Sequence, residues 1–174
     1  MPTAKESALT QERLKYLLHY NPESGIFTWI NKPAPRSNRI KPGYFAGCKK
    51  IDSGYVVINV DGYSYRAHRL AWFYVHGVWP REKMDHINGI KDDNRIINLR
   101  EASNCENGWN VGMPSTNTSG IKGVCWDKQT KKWLVQCWVS GKQYKIGRFS
   151  SLAAAAKAIA DFRVKHHGEF CNHG

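Results

Sequence analysis

Apolar residues recur at helical spacing in TQERLKYLL, residues 10–18. Leu14, Leu17 and Leu18 share one face there, and Thr10 is placed to cap the helix. NPESG reads as a turn and IFTWI as a strand. The stretch 31–50, NKPAPRSNRIKPGYFAGCKK, then loses all period. It holds six Lys or Arg, three prolines and no acid, so an extended basic loop is expected. YVVINV and YSYRA flank Asp61-Gly62, a strong hairpin signal. HRLAWFYVHG predicts a buried helix ended by Gly77, and Pro80 opens a short loop behind it. GMPSTNTSG is small and polar and reads as a linker. IKGVCWD, KKWLVQCWVS and KQYKIGRF alternate as strands, with Ser140-Gly141 between the last two. SLAAAAKAIADFRVKHHG returns to helical spacing, with Ser150 or Ser151 as cap and Gly168 as stop. In the middle strand Trp133, Val135, Cys137 and Val139 alternate with Leu134, Gln136 and Trp138. One set should pack on the helix through Ala155, Ala158, Ile159 and Phe162.

These elements predict an α+β chain. The expected organisation is a helix, basic loop and hairpin over 1–65, a polar segment over 66–112 that forms one unit with it, a linker over 113–120, and a three-stranded antiparallel sheet with one packed helix over 121–174. Composition supports a folded core, since 41% of the 174 residues are hydrophobic. The net charge of +12 changes the picture more. It favours a polyanionic partner: DNA, RNA or, less readily, an anionic membrane. A basic protein without such a partner is the bland alternative. Residues 113–174 carry ten Lys or Arg against three acids, which makes them the more basic part per residue. No apolar run approaches the roughly 20 residues that span a bilayer, and MPTAKESALTQERLKYLL has no apolar signal core. Cys48, Cys105, Cys125, Cys137 and Cys171 are odd in number and none forms a C-x-x-C pair. Neither a structural zinc nor a disulfide framework is expected, and a reducing, intracellular setting is.

The candidate chemistry lies in MDHINGIKDDNRIINLREASNCENGWN. Asp85 and His86 are adjacent, Asn98 follows in a turn-rich loop, and Ser103 can cap a short helix with Asn107 at its fourth position. A carboxylate and an amide oxygen are hard donors that suit one Mg2+ or Mn2+ with positions left for water and phosphate. A neutral histidine beside them can act as general base. An Asp-His pair alone is more often a turn with a hydrogen-bonded histidine.

The run Asp85-His86-Ile87-Asn88-Gly89, Asp93-Asn94-Arg95, Asn98-Leu99-Arg100, Ser103, Asn107 and Asn110, with His68-Arg69-Leu70-Ala71 upstream, resembles the HNH endonucleases, above all the phage and intron-encoded homing type. The resemblance implies a ββα-metal fold and metal-dependent hydrolysis of DNA. It makes His86 the general base, Asp85 and Asn107 the metal ligands, and Asn98 the residue that braces the loop. His68 either contacts the scissile phosphate region or is a packed helix histidine. Arg69 and Arg100 clamp phosphates or form ion pairs. One site per chain cuts one phosphodiester per visit, so nicking is one outcome, and cutting both strands needs dimerisation or re-docking.

Asn117-Thr118-Ser119-Gly120, Lys122-Gly123-Val124, Trp126, Lys132-Trp133, Ile146-Gly147-Arg148-Phe149 and the alanine-rich helix resemble the Apetala-type DNA-binding domain of plant ethylene-response factors. That resemblance implies a sheet laid in the major groove of double-stranded DNA. Lys122, Gln136, Trp138, Gln143 and Lys145 would face the DNA, with Trp126 and Lys128 near its backbone. The alternative for Trp138 is packing on the linker or on the nuclease part. In the basic loop, Lys32, Arg36, Arg39, Lys41, Lys49 and Lys50 either lie along the duplex or are simply solvated. A monomer is expected in the free state. A degenerate DNA-binding regulator and a ribonuclease are the competing readings.

Overall fold

The computed structural model describes residues 3–33, 40–110 and 112–167. The chain folds as two compact units, Met1–Ala102 and Ser103–Gly174. The expected linker 113–120 therefore lies inside the second unit. Arg36, Arg39, Gly168 and Cys171, singled out above, lie outside the described residues.

The first unit opens with a short helix that the apolar pattern did not announce, α1 (Ala4–Ala8). Thr3 and Glu6 form a capping box on it. Helix α2 (Gln11–Leu17) follows, and the Thr10 hydroxyl accepts from the Arg13 amide as its N-cap. Leu18 does not extend this helix, although its spacing fits. It opens β1 (Leu18–Asn21), where it pairs with Trp29 of β2 (Ile26–Trp29) and is fully buried. Sheet pairing overrides helical period at that residue. Part of the stretch expected to be loop is also paired: β3 (Cys48–Lys49) lies on Val56–Val57 of β4 (Val56–Val60). Strand β5 (Tyr63–Arg66) completes that sheet, in the order β3-β4-β5. Asp61 and Gly62, at φ 47° and 82°, form the turn between β4 and β5, and two successive positive φ values are what a tight Asp-Gly hairpin requires.

Helix α3 (Ala67–His76) ends at Gly77, which sits in the left-handed region and donates to the Phe73 carbonyl. Leu14, Leu17, Leu18, Ile58, Val60 and Leu70 are fully buried between α2, α3 and the sheets. Each such side chain contributes about 1.5–3 kcal/mol by leaving water. This core forms the floor under the next hairpin, β6 (Lys83–His86) and β7 (Leu99–Ala102), through Met84 and Leu99.

The second unit begins with α4 (Asn104–Trp109), capped by Ser103 and Glu106. Strands β8 (Val124–Asp127), β9 (Lys132–Val139) and β10 (Lys142–Phe149) form an antiparallel sheet in the order β10-β9-β8. Helix α5 (Leu152–His167), with the Ser151 hydroxyl accepting from the Ala154 amide, packs on it through Ala155 and Ile159 against Val124, Val135 and Cys137. Among the described residues, no helix is long and apolar enough to cross a membrane.

Candidate active site and nucleic-acid interface

In the β6–β7 hairpin Asp85 stands opposite Arg100 and His86 opposite Leu99. The connecting loop, residues 87–98, is rich in Asn and Asp and is held by its own side chains. The Asn98 carboxamide oxygen accepts from the Asn88 amide at 3.0 Å. Its nitrogen donates to the Asn88 side chain at 3.0 Å and to the Asp93 carbonyl at 2.8 Å. Asp93 in turn accepts from Asn88 and from the Arg95 guanidinium. Hydrogen bonds from Arg95 and Asn88 hold its carboxyl at about 2, so the loop stays ionised and braced at any ordinary pH.

The loop returns Asn94 to His86. Both are buried, and His86 Nε2 lies 3.3 Å from Asn94 Oδ1. The Asn94 amide nitrogen donates to the Asp92 carbonyl, so its oxygen is the end that faces the imidazole. Tyr20 donates through its hydroxyl to the Asn94 backbone carbonyl at 2.7 Å, and burial pushes that phenol up to about 12. On the other side of His86 stands His68 of α3. The two rings meet edge to face with centroids 5.0 Å apart, and Tyr55 packs on both, at 5.2 Å from His68 and 5.9 Å from His86. Burial lowers the pKa of His68 well below the ordinary histidine value, and the neighbouring His86, Arg66 and Arg69 act in the same direction. Burial lowers His86 as well, against the opposing influence of Asn94, Asp85, Asp93 and Asp92. Both imidazoles are therefore neutral at pH 7. His68 Nδ1 is buried with no hydrogen-bond partner among the described residues.

Asp85 is 5% exposed and accepts two hydrogen bonds from Arg100 on Oδ2, at 3.0 and 2.9 Å. Arg69 reaches buried Glu6 at 2.6 Å and the carbonyls of Pro80 and Glu82. Both arginines thus form ion pairs, one of the two roles open to them. Asn107 stands half-buried at the fourth position of α4, in the second unit, whereas Asp85, His86, Asn98 and His68 belong to the first. Among the described residues, no three His, Cys, Asp or Glu side chains group to hold an ion. The Asp85 carboxylate and the Asn107 carboxamide are each hard oxygen donors, of the kind that Mg2+ or Mn2+ takes alongside water and phosphate.

Sequence reasoning attached no role to Asn94 or Tyr55. Their sequence separation from His86 carries no period. Only the fold-back of the loop and the packing of α3 bring them to the imidazole.

In the second unit Val135 and Cys137 point into the core and Trp138 is 59% exposed. Across the β9–β10 register Trp138 faces Gln143 and Gln136 faces Lys145, so these four side chains form one strip. Gln143 also donates to Gln136 at 3.1 Å. Trp126 pairs instead with Trp133 and stacks edge to face on it at 4.9 Å, which places it on the helix-side face of the sheet, apart from that strip. Lys128 is exposed just past β8, and Lys122 donates to the Trp109 carbonyl.

The sequence profile of the HNH endonuclease family matches residues 65–109. The chain is 35% identical over 106 residues to protein 3.8 of Escherichia phage T7, a match that covers 60% of this chain and 87% of that protein. No solved structure matches it. The buried Asp85-His86 pair on β6, its cross-braced loop and α4 all fall inside the matched segment. The chain belongs to the family of phage T7 protein 3.8 and carries an HNH endonuclease segment at residues 65–109.

Proposed function

We propose that the chain is a metal-dependent HNH endonuclease of the homing type that hydrolyses phosphodiesters of double-stranded DNA. The observation that carries this is His86, a buried and neutral imidazole beside the Asp85 carboxylate inside the HNH-matched segment. With Asn94 Oδ1 as acceptor, His86 donates through Nε2–H. That tautomer puts the lone pair on Nδ1, the atom that takes the proton from an attacking water. Asn98 keeps the loop closed and so keeps Asn94 on the imidazole. In this reading Asp85 and Asn107 are the residues that would hold a divalent ion, which would supply charge to polarise the phosphoryl oxygen and to stabilise the leaving 3′-oxygen. Arg100 fixes the Asp85 carboxylate, and Arg69 fixes α3, and with it His68, against α1.

The second unit docks on the duplex through an Apetala-like sheet. The strip of Gln136, Trp138, Gln143 and Lys145 faces the groove, with Lys122 and Lys128 at its margins, while Trp126, on the helix-side face, would reach no more than the DNA backbone. A chain with one such site nicks one strand per visit as a monomer. Its setting is the reducing cytoplasm of a phage-infected bacterium.

Supercoiled plasmid tests the reading. With Mg2+ or Mn2+ it should relax, and with EDTA it should not. His86→Ala should cost on the order of 100-fold or more in rate. An unaltered variant, or no metal-dependent relaxation, sinks the proposal.

A further inference from the structure

Arg163 of α5 is almost entirely buried, and no carboxylate pairs with it among the described residues. Its Nη2 donates to the Lys122 carbonyl at 2.6 Å, while Nη1 is buried without a partner among the described residues. A guanidinium cannot neutralise itself by losing its proton, so an unpaired one in the interior is costly unless something meets it. The space beside it is open. Arg163 lines a cavity of about 310 Å3 in the second unit, together with Trp109, Gln136, Cys137 and Trp138. Gly123 makes that approach possible: a Cβ there would stand 3.2 Å from Arg163 Nη2 and 2.7 Å from the Gln136 carbonyl.

We propose that this cavity is a nucleobase pocket. Trp138 offers an exposed indole face on which a planar ring can stack, and sequence-tolerant stacking of this kind is how proteins hold unstacked bases. Arg163 is part of the cavity wall, and its unmet Nη1–H would meet the edge of the base once the side chain turns toward it. Guanine matches best, because its O6 and N7 are adjacent acceptors that suit the guanidinium fork. A base can stack on Trp138 only once one of its own faces is free, so the ligand is an unstacked nucleotide, either free or drawn from a DNA strand. The site is built from residues of the second unit alone and does not rest on the nuclease reading.

The test uses the full-length His86→Ala protein, so that nothing is cleaved. Tryptophan fluorescence is followed during titration with dGMP, dAMP, dCMP and dTMP, and then with short single strands that carry or lack one guanine. dGMP should bind saturably and at least 10-fold tighter than dCMP. Arg163→Met should weaken it at least 10-fold while the protein stays folded, and should leave duplex affinity in place, because Arg163 lies off the exposed strip. Should Arg163→Met fail to fold, exposed Trp138→Ala provides the same test and should likewise lose dGMP binding. Binding by guanine-bearing strands alone supports the pocket and names the strand as its source. No saturable binding of any nucleotide or strand overturns the proposal. So does an affinity unmoved by the folded variants, or full competition by inorganic phosphate, which would make the ligand a phosphate and not a base.

Discussion

His68 is the residue at which burial and chemistry conflict most. It is 3% exposed, its Nδ1 has no hydrogen-bond partner among the described residues, and its neighbours are a second histidine and two arginines. All of these oppose its protonation in the folded chain, whereas in the unfolded chain it titrates at the ordinary value near 6.5. Its folded pKa is thus depressed, and the unfolded state binds more protons as pH falls. Stability is fully present above about pH 6.5 and drains away below it, by at most about 1.4 kcal/mol per pH unit for each such histidine. His86 adds to the trend in the same direction. Asp93, held at about 2, does not titrate in that window, so the window from pH 6.5 to 5 isolates the imidazoles. Melting temperature should therefore fall between pH 7 and 5, and His68→Phe should flatten the dependence. A wild-type curve that is flat there would show that neither imidazole is kept neutral by burial. Spacing alone could mark Asp85 and His86, because adjacent residue types are visible in a sequence. It could not reach Asn94, whose contact with His86 depends on a loop that folds back upon itself.

At the scale of elements, the NPESG turn packs against the segment that carries Asn94. Gly25 stands at φ +72°, and a Cβ on it would fall 2.4 Å from the Arg95 amide nitrogen and 2.5 Å from the Asn94 carbonyl carbon. The β1–β2 turn thus presses directly on the backbone that carries the His86 partner, and Tyr20 adds its hydroxyl bond to the same segment. Gly62 makes the contrast. It has a similar φ of +82°, but a Cβ there meets nothing within 4 Å among the described residues. Gly62→Ala should cost only the strain of left-handed backbone, about 1–2 kcal/mol, and leave cleavage intact. Gly25→Ala carries the same strain plus the clash, and should lower both stability and plasmid-cleavage rate more than Gly62→Ala does. Urea melts and single-turnover cleavage compare the two, and equal effects would mean that the turn does not position Asn94. Local signals made the Asp61-Gly62 hairpin, the Thr10 cap and the Gly77 stop legible beforehand, since each is a short-range backbone requirement. Leu18 in β1 and Cys48–Lys49 beside β4 were not legible. Their state is set by partners distant in sequence, and the local pattern is silent about those.

At the scale of the whole chain, the charge of +12 becomes informative once the ion pairs are set aside. Arg13, Lys49, Arg69, Arg95, Arg100 and Arg148 each face a carboxylate. Lys128, Lys142 and Lys145 stand exposed on the second unit with no carboxylate among the described residues in an ion pair with them, and Lys145 lies on the strip that contains Trp138. If that strip meets the duplex, its lysine neutralises a phosphate and releases a condensed counterion. The slope of log K against log salt then changes by about 0.9 for each phosphate that a substitution leaves without its cation. Lys145→Ala should therefore weaken duplex binding for every sequence alike and make the slope shallower by about that amount. Arg148→Ala should change the slope less, because Asp127 already neutralises that guanidinium at 2.9 Å. Trp138→Ala should lower affinity while leaving the slope in place, since an indole contributes surface and not charge. Affinities measured from low to physiological salt on one duplex, and repeated on an unrelated one, distinguish these outcomes. A slope unchanged in Lys145→Ala would move the docking surface off the β9–β10 strip and leave the charge of the first unit as the attraction to DNA.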